Sequence, residues 1–242
     1  HHHPQLFATI QQQVKDGRWA IDAGLWVEPD LNLPGGEAIV RQILYGQRYC
    51  LEKFGTISEI AWLPDSFGFS WQLPQLLSQG GIQFFATQKL RWNDTNAFPH
   101  HLFNWQGLDG TSINGVTLPP IGTDIDPIAM TQYSCDWEVQ TGLKECLWLP
   151  GIGDHGGGPT RDMLLKARRW AESPFFPTIT FSHAVPLFKE LLQQAKKNPA
   201  SAQAPTPQAN SQPAVPPGQA ANNTLHLPIW QDELYLELHR GC

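Results

Sequence analysis

The residues best placed for chemistry follow an apolar stretch in the first third of the chain. Residues 57–63 are predicted to form a buried strand, and Asp65, Phe67 and Gly68 come directly after it. In open α/β sheets and α/β barrels, ligands bind where strands end. Asp65 is therefore a candidate for nucleophilic or acid–base chemistry. The alternative is a turn or helix-capping aspartate, which is common after proline.

A second candidate is the glycine-rich segment Gly151–Gly158, between a predicted strand and a predicted helix. Glycines allow a ligand to approach the backbone, and a helix N-terminus favours a negative group. The segment has neither a P-loop Lys-Ser/Thr nor G-x-G-x-x-G spacing, so a nucleotide is disfavoured. Asp154 could supply a second carboxylate at the same edge; otherwise Asp154 and His155 are simply solvated.

Two carboxylates at the ends of neighbouring strands, with aromatic residues around them, are typical of a glycosidase. The main alternatives lack their signatures, because the chain contains neither the G-x-S-x-G of a serine hydrolase nor the H-E-x-x-H of a metalloprotease.

Composition excludes several other classes. The 242 residues are 41% hydrophobic and 16% charged with a net charge of −6, enough for a core and without a basic stripe for nucleic acid. No apolar run approaches the ~20 residues of a membrane span, and the first residues do not form a signal peptide. The four cysteines are widely spaced without a CxxC pair, which indicates reduced thiols and a cytoplasmic location.

Strands and helices alternate along the chain, which predicts an α/β fold with mainly parallel strands. The predicted helices are 3–15, 35–54, 73–78, 126–144, 159–171 and 184–196. The predicted strands are 18–27, 57–63, 82–87, 101–105, 112–118, 146–149 and 178–181, with 101–105 and 112–118 forming a hairpin.

Composition also predicts the domain organisation. Residues 1–194 are expected to form a partial α/β catalytic domain. Residues 195–224 are rich in Pro, Ala and Gln without apolar periodicity, and are predicted to be a disordered insertion. Residues 225–242 return to an apolar pattern and are predicted to be a truncated return strand of the same domain.

Several longer motifs resemble the catalytic domain of family-38 glycoside hydrolases, the retaining α-mannosidases, in their cytosolic and bacterial branch. The similarity covers nearly the whole chain outside 195–224. The motifs are Trp26-Val27-Glu28-Pro29-Asp30, 34–42, Trp62-Leu63-Pro64-Asp65-Ser66-Phe67-Gly68, 87–93, 103–110 and 237–241.

The resemblance implies a zinc-dependent hydrolase of terminal α-mannosides. Asp65 matches the catalytic nucleophile, which is also a zinc ligand, and Phe67 matches an aromatic residue that packs against the sugar. Asp154 is the candidate acid/base, although His155 stands where related sequences have glycine. Retaining enzymes hold these two carboxyl groups about 5–5.5 Å apart.

Further substrate-binding candidates are Trp62, Glu28, Asp30 and Arg41, the last three alternatively forming structural ion pairs. The resemblance also implies a partial (β/α) barrel whose first strand, with a His-x-Asp zinc motif, would lie before residue 1. Another zinc-binding histidine and the downstream helical and β-sandwich domains would lie beyond Cys242. With Asp65 as its one expected ligand, the chain alone is expected to be inactive. A non-catalytic carbohydrate-binding module and an unfolded gene fragment are the alternatives.

Overall fold

A computed structural model of the chain describes residues 2–93, 95–153, 157–197 and 227–234. The helices in these ranges are α1 Pro4–Lys15, α2 Gly36–Phe54, α3 Leu73–Gln79, α4 Pro127–Thr141, α5 Arg161–Ala171 and α6 Ala184–Lys197. The strands are β1 Ile60–Trp62, β2 Phe84–Thr87, β3 Leu102–Gln106, β4 Ser112–Thr117, β5 Ile121–Thr123, β6 Leu149–Pro150 and β7 Ile229–Trp230, and a short 3₁₀ helix covers Lys89–Arg91.

The main sheet has five strands in the order β1-β2-β4-β3-β7, and three of its four pairings are parallel. The exception is the β3–β4 pair, an antiparallel hairpin at the predicted position. Its turn is closed by Asp109, whose carboxylate accepts hydrogen bonds from the backbone and side chain of Thr111. The predicted mixed α/β fold with a mainly parallel sheet is therefore confirmed.

Helices cover both faces of the sheet because successive strand residues point to opposite sides. In β2, Phe85 belongs to a core shared with Ile39 and Ile43 of α2, whereas its neighbour Phe84 belongs to a second core shared with Phe188 of α6. All four β2 residues are buried. The central strands are apolar on both faces, as expected when helices lie on either side.

Local signals set several helix ends. Asp126 begins α4 by accepting hydrogen bonds from the backbone N–H groups of Ile128 and Ala129. Gly142 ends α4 and Gly55 ends α2, each in the left-handed conformation with a positive φ. These boundaries agree with the predicted helices to within a few residues.

The predicted strands 18–27 and 178–181 were wrong, since neither segment is a strand in the structure. Within this segment, residues 24–26 instead run close to both β1 and α2. Gly24 has φ +76°, and a Cβ there would lie 2.5 Å from the Ile60 carbonyl oxygen. The backbone N–H of Trp26 bonds the Gln42 carbonyl of α2 at 2.9 Å. Residues 178–181 place Ile179 against α5 instead of in a ladder.

The last part of the chain is described only over 227–234, where β7 pairs with β3 in parallel. Helix α6 continues to Lys197, past the predicted limit of the first domain at 194. The predicted insertion otherwise lies outside the described residues, so the domain limits stay a prediction. Within the described ranges, every helix is too short or too polar to cross a membrane.

Candidate active site

The candidate site lies where the adjacent parallel strands β1 and β2 end. Trp62 pairs with Ala86 in register, and the backbone N–H of Leu63 donates to the Ala86 carbonyl at 2.9 Å. Asp65 comes three residues after β1 ends, and Lys89 two residues after β2 ends. The two side chains therefore meet at the carboxyl edge of the sheet, where α/β proteins bind ligands.

Asp65 and Lys89 form an ion pair with unequal exposure. The Lys89 Nζ lies 2.6 Å from Asp65 Oδ1, and the two side chains are 6% and 65% exposed. Nζ also lies 3.5 Å from the Trp92 ring centroid and 4.9 Å from that of Phe67. Because a buried ammonium needs compensation, the carboxylate and the two ring faces hold it in place. The ion pair leaves Asp65 open to the surface.

A second wall comes from residues 28–33, here named the fastening loop. Glu28 Oε1 accepts a hydrogen bond from the Asp65 backbone N–H at 2.5 Å. The Ser66 hydroxyl donates to the Pro29 carbonyl at 2.9 Å, and Asn32 Nδ2 donates to the Phe67 carbonyl at 2.7 Å. Each of the three residues 65–67 is thus tied to the fastening loop.

Asp30 shapes the fastening loop itself. Its Oδ1 accepts hydrogen bonds from the backbone N–H groups of Asn32, at 2.7 Å, and Leu33, at 3.0 Å. This arrangement is an Asx turn, in which an aspartate side chain closes its own loop. It places Asn32 where its side chain reaches the Phe67 carbonyl.

The two segments enclose a pocket of about 320 Å³. That volume falls within the range of about 300–1,000 Å³ typical of small-molecule sites. The lining residues are Glu28, Pro29, Asp30, Asn32, Leu33, Asp65, Ser66 and Phe67. The pocket therefore presents three carboxylates and one aromatic ring to a ligand.

The surroundings of Glu28 raise the pKa of its carboxyl group. Burial is the main cause, and the negative charge of Asp65 reinforces it. Hydrogen bonds from the backbone N–H groups of Asp65 and Ser66 partly offset this increase in the pKa of Glu28, and the Lys89 ammonium offsets it least.

The structure brings four predicted site residues together and places two others, Trp62 and Arg41, elsewhere. Asp65, Phe67, Glu28 and Asp30 all line the pocket. Trp62 packs against the second core, and Arg41 lies on the exposed side of α2, where its guanidinium pairs with Glu37 at 2.8 Å. Asp154 lies outside the described residues.

Sequence reasoning assigned no role to Lys89, Ser66 or Asn32. The signal for Lys89 was present, because it follows strand β2 as Asp65 follows β1, and parallel neighbours end at one edge. Asn32 and Ser66 carried no comparable signal. Asn32 contacts Phe67 and Ser66 contacts Pro29, and both contacts depend on how two loops that are distant in the sequence meet.

The described residues alone do not fit the zinc ion that the family resemblance implies. In the described ranges, which leave out His1, Asp94 and residues 154–156, 198–226 and 235–242, no three His, Cys, Asp or Glu side chains are grouped so that they could hold a metal ion. Zinc sites use three or four protein ligands. Here Asp65 offers one carboxylate, and its Oδ1 is paired with Lys89. Asp65 as a zinc ligand stays a prediction from the resemblance.

An acidic pocket at the carboxyl edge of a mainly parallel sheet is where α/β enzymes commonly bind small ligands. Sequence comparison identifies the family. The chain belongs to glycosyl hydrolase family 38, whose N-terminal domain matches residues 1–232. The resemblance carried by the sequence motifs is therefore confirmed.

Named relatives agree with the family. The chain is 36% identical to Alpha-mannosidase G of Dictyostelium discoideum over 244 residues and 36% identical to human Alpha-mannosidase 2C1 over 251 residues. It is 34% identical to Alpha-mannosidase of Saccharomyces cerevisiae over 258 residues. In each comparison 99% of this chain is covered but only 20% of the relative, so the chain spans about a fifth of their length.

A solved structure has the same fold. The crystal structure of an alpha-mannosidase from Enterococcus faecalis V583 superposes with a TM-score of 0.65 at 18% identity. The match covers 96% of this chain and 24% of that one. The α/β architecture described above is therefore also present in one region of that larger chain.

Proposed function

We propose that this chain supplies the nucleophile region of a retaining α-mannosidase, with Asp65 as the nucleophile. The observation that carries the proposal is the exposed Asp65 carboxylate, held at the pocket by the buried Lys89 ammonium. Family membership and the mannosidase names of the relatives support the substrate class.

In the proposed reaction, a carboxylate oxygen of Asp65 attacks the anomeric carbon of a terminal α-mannoside. The glycosidic C–O bond breaks, and an acid donates a proton to the departing oxygen. Water then attacks the anomeric carbon of the glycosyl-enzyme and loses its proton to the same group, now a base. This releases mannose and restores the Asp65 carboxylate. Asp154 remains the proposed acid/base.

Lys89 is proposed to orient this nucleophile. Its charge-assisted hydrogen bond to Oδ1 fixes the plane of the carboxylate. Such orientation is effective because a reacting atom misplaced by about 1 Å can lower a rate about 10²-fold. The aromatic rings of Phe67 and Trp92 hold Lys89 from the other side.

Phe67 is proposed to pack against the apolar face of the sugar, since it lines the pocket next to Asp65. Asp30 is proposed as a hydroxyl-binding carboxylate in the same pocket. Arg41 and Trp62 stay sequence predictions as substrate contacts. The zinc ion, with its other ligands outside this chain, and the cytoplasmic location also belong to this proposal.

Activity is proposed for the complete protein, because this chain spans about 20% of its relatives. The test measures release of an aryl leaving group from α-mannoside, β-mannoside and α-glucoside by the complete gene product and by residues 1–242 alone. We expect turnover of the α-mannoside by the complete protein and none by the isolated chain. Binding of mannosides without turnover by the complete protein would instead identify a carbohydrate-binding module.

A further inference from the structure

The backbone of Asp65 is fixed as firmly as its side chain. Lys89 holds the Oδ1 atom at 2.6 Å, and Glu28 Oε1 accepts the backbone N–H at 2.5 Å. Glu28 belongs to a different part of the chain, 37 residues before Asp65. Of the three fastening-loop contacts, this one bears on the proposed nucleophile itself.

We propose that Glu28 is a positioning residue, which orients Asp65 through its main chain, instead of the sugar-binding residue that the sequence predicts. The proposal rests on the proposed function, because it assigns Glu28 a task at that nucleophile. Lys89 and Glu28 together restrain Asp65 at both ends. Only the torsions between its backbone and its carboxylate then remain, and the Lys89 hydrogen bond limits these.

The neighbouring contacts favour this assignment. The Ser66 hydroxyl and the Phe67 carbonyl are tied to Pro29 and Asn32, so the fastening loop and residues 65–67 form one unit. The Glu28 Oε1 atom that accepts the Asp65 backbone N–H is therefore already engaged before any sugar arrives.

Three variants separate the effect of the length of the Glu28 side chain from the effect of its charge. Glu28→Gln keeps an oxygen at the same distance but loses the charge, Glu28→Asp keeps the charge but is one methylene too short, and Glu28→Ala loses both. If Glu28 positions Asp65, kcat of the complete enzyme falls about 10²-fold in the Asp and Ala variants and less than about 10-fold in the Gln variant. KM for an aryl α-mannoside should change less than about threefold, because no sugar contact is lost.

Glu52→Gln is the matched control. Glu52 is an exposed carboxylate of α2 paired with Lys53, far from the pocket lining. Its kcat and KM should equal those of the unaltered enzyme. A Gln variant as inactive as the Ala variant would show that charge or a proton is needed and would overturn the proposal. A rise in KM with unchanged kcat would identify a sugar contact and overturn it as well.

Hydrogen exchange tests the same contact without any turnover. Mass spectrometry of a peptide spanning residues 63–69 should show faster exchange of the Asp65 amide in Glu28→Ala and Glu28→Asp than in Glu28→Gln, by about 10-fold or more. Unchanged exchange in all three variants would overturn the proposal. If the complete protein does not hydrolyse mannosides but amide exchange responds in this order, the proposed function fails. The result then still shows that Glu28 holds the backbone of Asp65.

Discussion

Two aspartate–lysine pairs in this chain have the same chemistry but different surroundings. Asp65 and Lys89 lie at the ends of adjacent parallel strands, with the lysine 6% exposed beneath two aromatic rings. Asp124 follows β5 and pairs with Lys166 of α5, and these side chains are 46% and 44% exposed. Asp65 of the first pair lines the pocket, whereas neither member of the second pair does.

Neither pair is expected to contribute much to the stability of the fold, but for different reasons. An exposed pair such as Asp124–Lys166 contributes little to stability, because water and salt screen its charges. A buried ammonium loses hydration that its partners only partly replace, so it is a poor means of stabilising a fold. Lys89 is therefore best explained by what it does to Asp65, and each prediction below contrasts the pocket with another part of the molecule.

The largest contrast is expected between the two aspartates. Asp65→Asn removes the attacking oxygen charge, so kcat on an aryl α-mannoside should fall by about 10⁴-fold or more. Asp124→Asn, which breaks only the exposed pair, should leave kcat unchanged. Steady-state kinetics of the complete protein measures both. Equal activity of the two variants would remove Asp65 from the chemistry.

The two lysines give a smaller contrast. Lys89→Met should lower kcat about 10²-fold, because the Asp65 carboxylate loses its orienting hydrogen bond. Its unfolding free energy should change by no more than about 1–2 kcal/mol, since an apolar side chain replaces a buried charge and Asp65 stays solvated. Lys166→Met should alter neither quantity appreciably. A Lys89→Arg variant that restores much of kcat would support orientation by a cation.

Two glycines extend the contrast to the backbone. Gly68 has φ +113°, and a Cβ there would lie 2.5 Å from Asn32 Nδ2, which bonds the Phe67 carbonyl. Gly110, in the β3–β4 turn, has φ +84° with open space around it. Both alanine variants should lose about 1 kcal/mol of stability from backbone strain. Only Gly68→Ala should also lower kcat, by about 10-fold, because the added Cβ displaces the Asn32 side chain from the Phe67 carbonyl.

The last prediction concerns His101, which lies outside the pocket lining and should affect the stability of the fold instead of the activity. Burial lowers the pKa of His101 to about 4, and the nearby Arg91 guanidinium adds to this. The unfolded chain binds the proton first, so the unfolding free energy should decrease as pH falls from about 6.5 to about 4, by at most about 3 kcal/mol. Urea denaturation at several pH values should show this decrease in the unaltered protein and a weaker one in His101→Asn.

The sequence predicted the framework of the pocket better than its walls. Apolar runs bounded by glycine and proline located β1, β2 and the hairpin, because buried strands in an α/β sheet leave that pattern whatever their partners. The strand prediction for residues 18–27 was wrong, because the aromatic and β-prone residues Trp19, Trp26 and Val27 are largely exposed instead of buried in a sheet. The close approach of Gly24 to the Ile60 carbonyl depends on tertiary packing, which periodicity does not report.

The site was predictable where its residues directly follow a strand, because α/β proteins commonly bind ligands at strand ends. Asp65 and Phe67 could be found from their place after β1 and from the family motif. Glu28 was predicted as a substrate-binding residue, whereas in the structure its carboxylate accepts the Asp65 backbone N–H. That contact depends on how two loops meet, which the sequence does not show. Lys89 was missed since a lysine after a strand is ordinarily exposed.

The most direct test of the central claim is to trap the glycosyl-enzyme. A fluorinated α-mannosyl fluoride slows the second step more than the first, so the complete protein should gain the mass of one fluoromannosyl group. Peptide mass spectrometry should then place that group on Asp65, and Asp65→Asn should not be labelled. Labelling of another carboxylate, or turnover of the reagent with inversion of the anomeric configuration, would contradict the account.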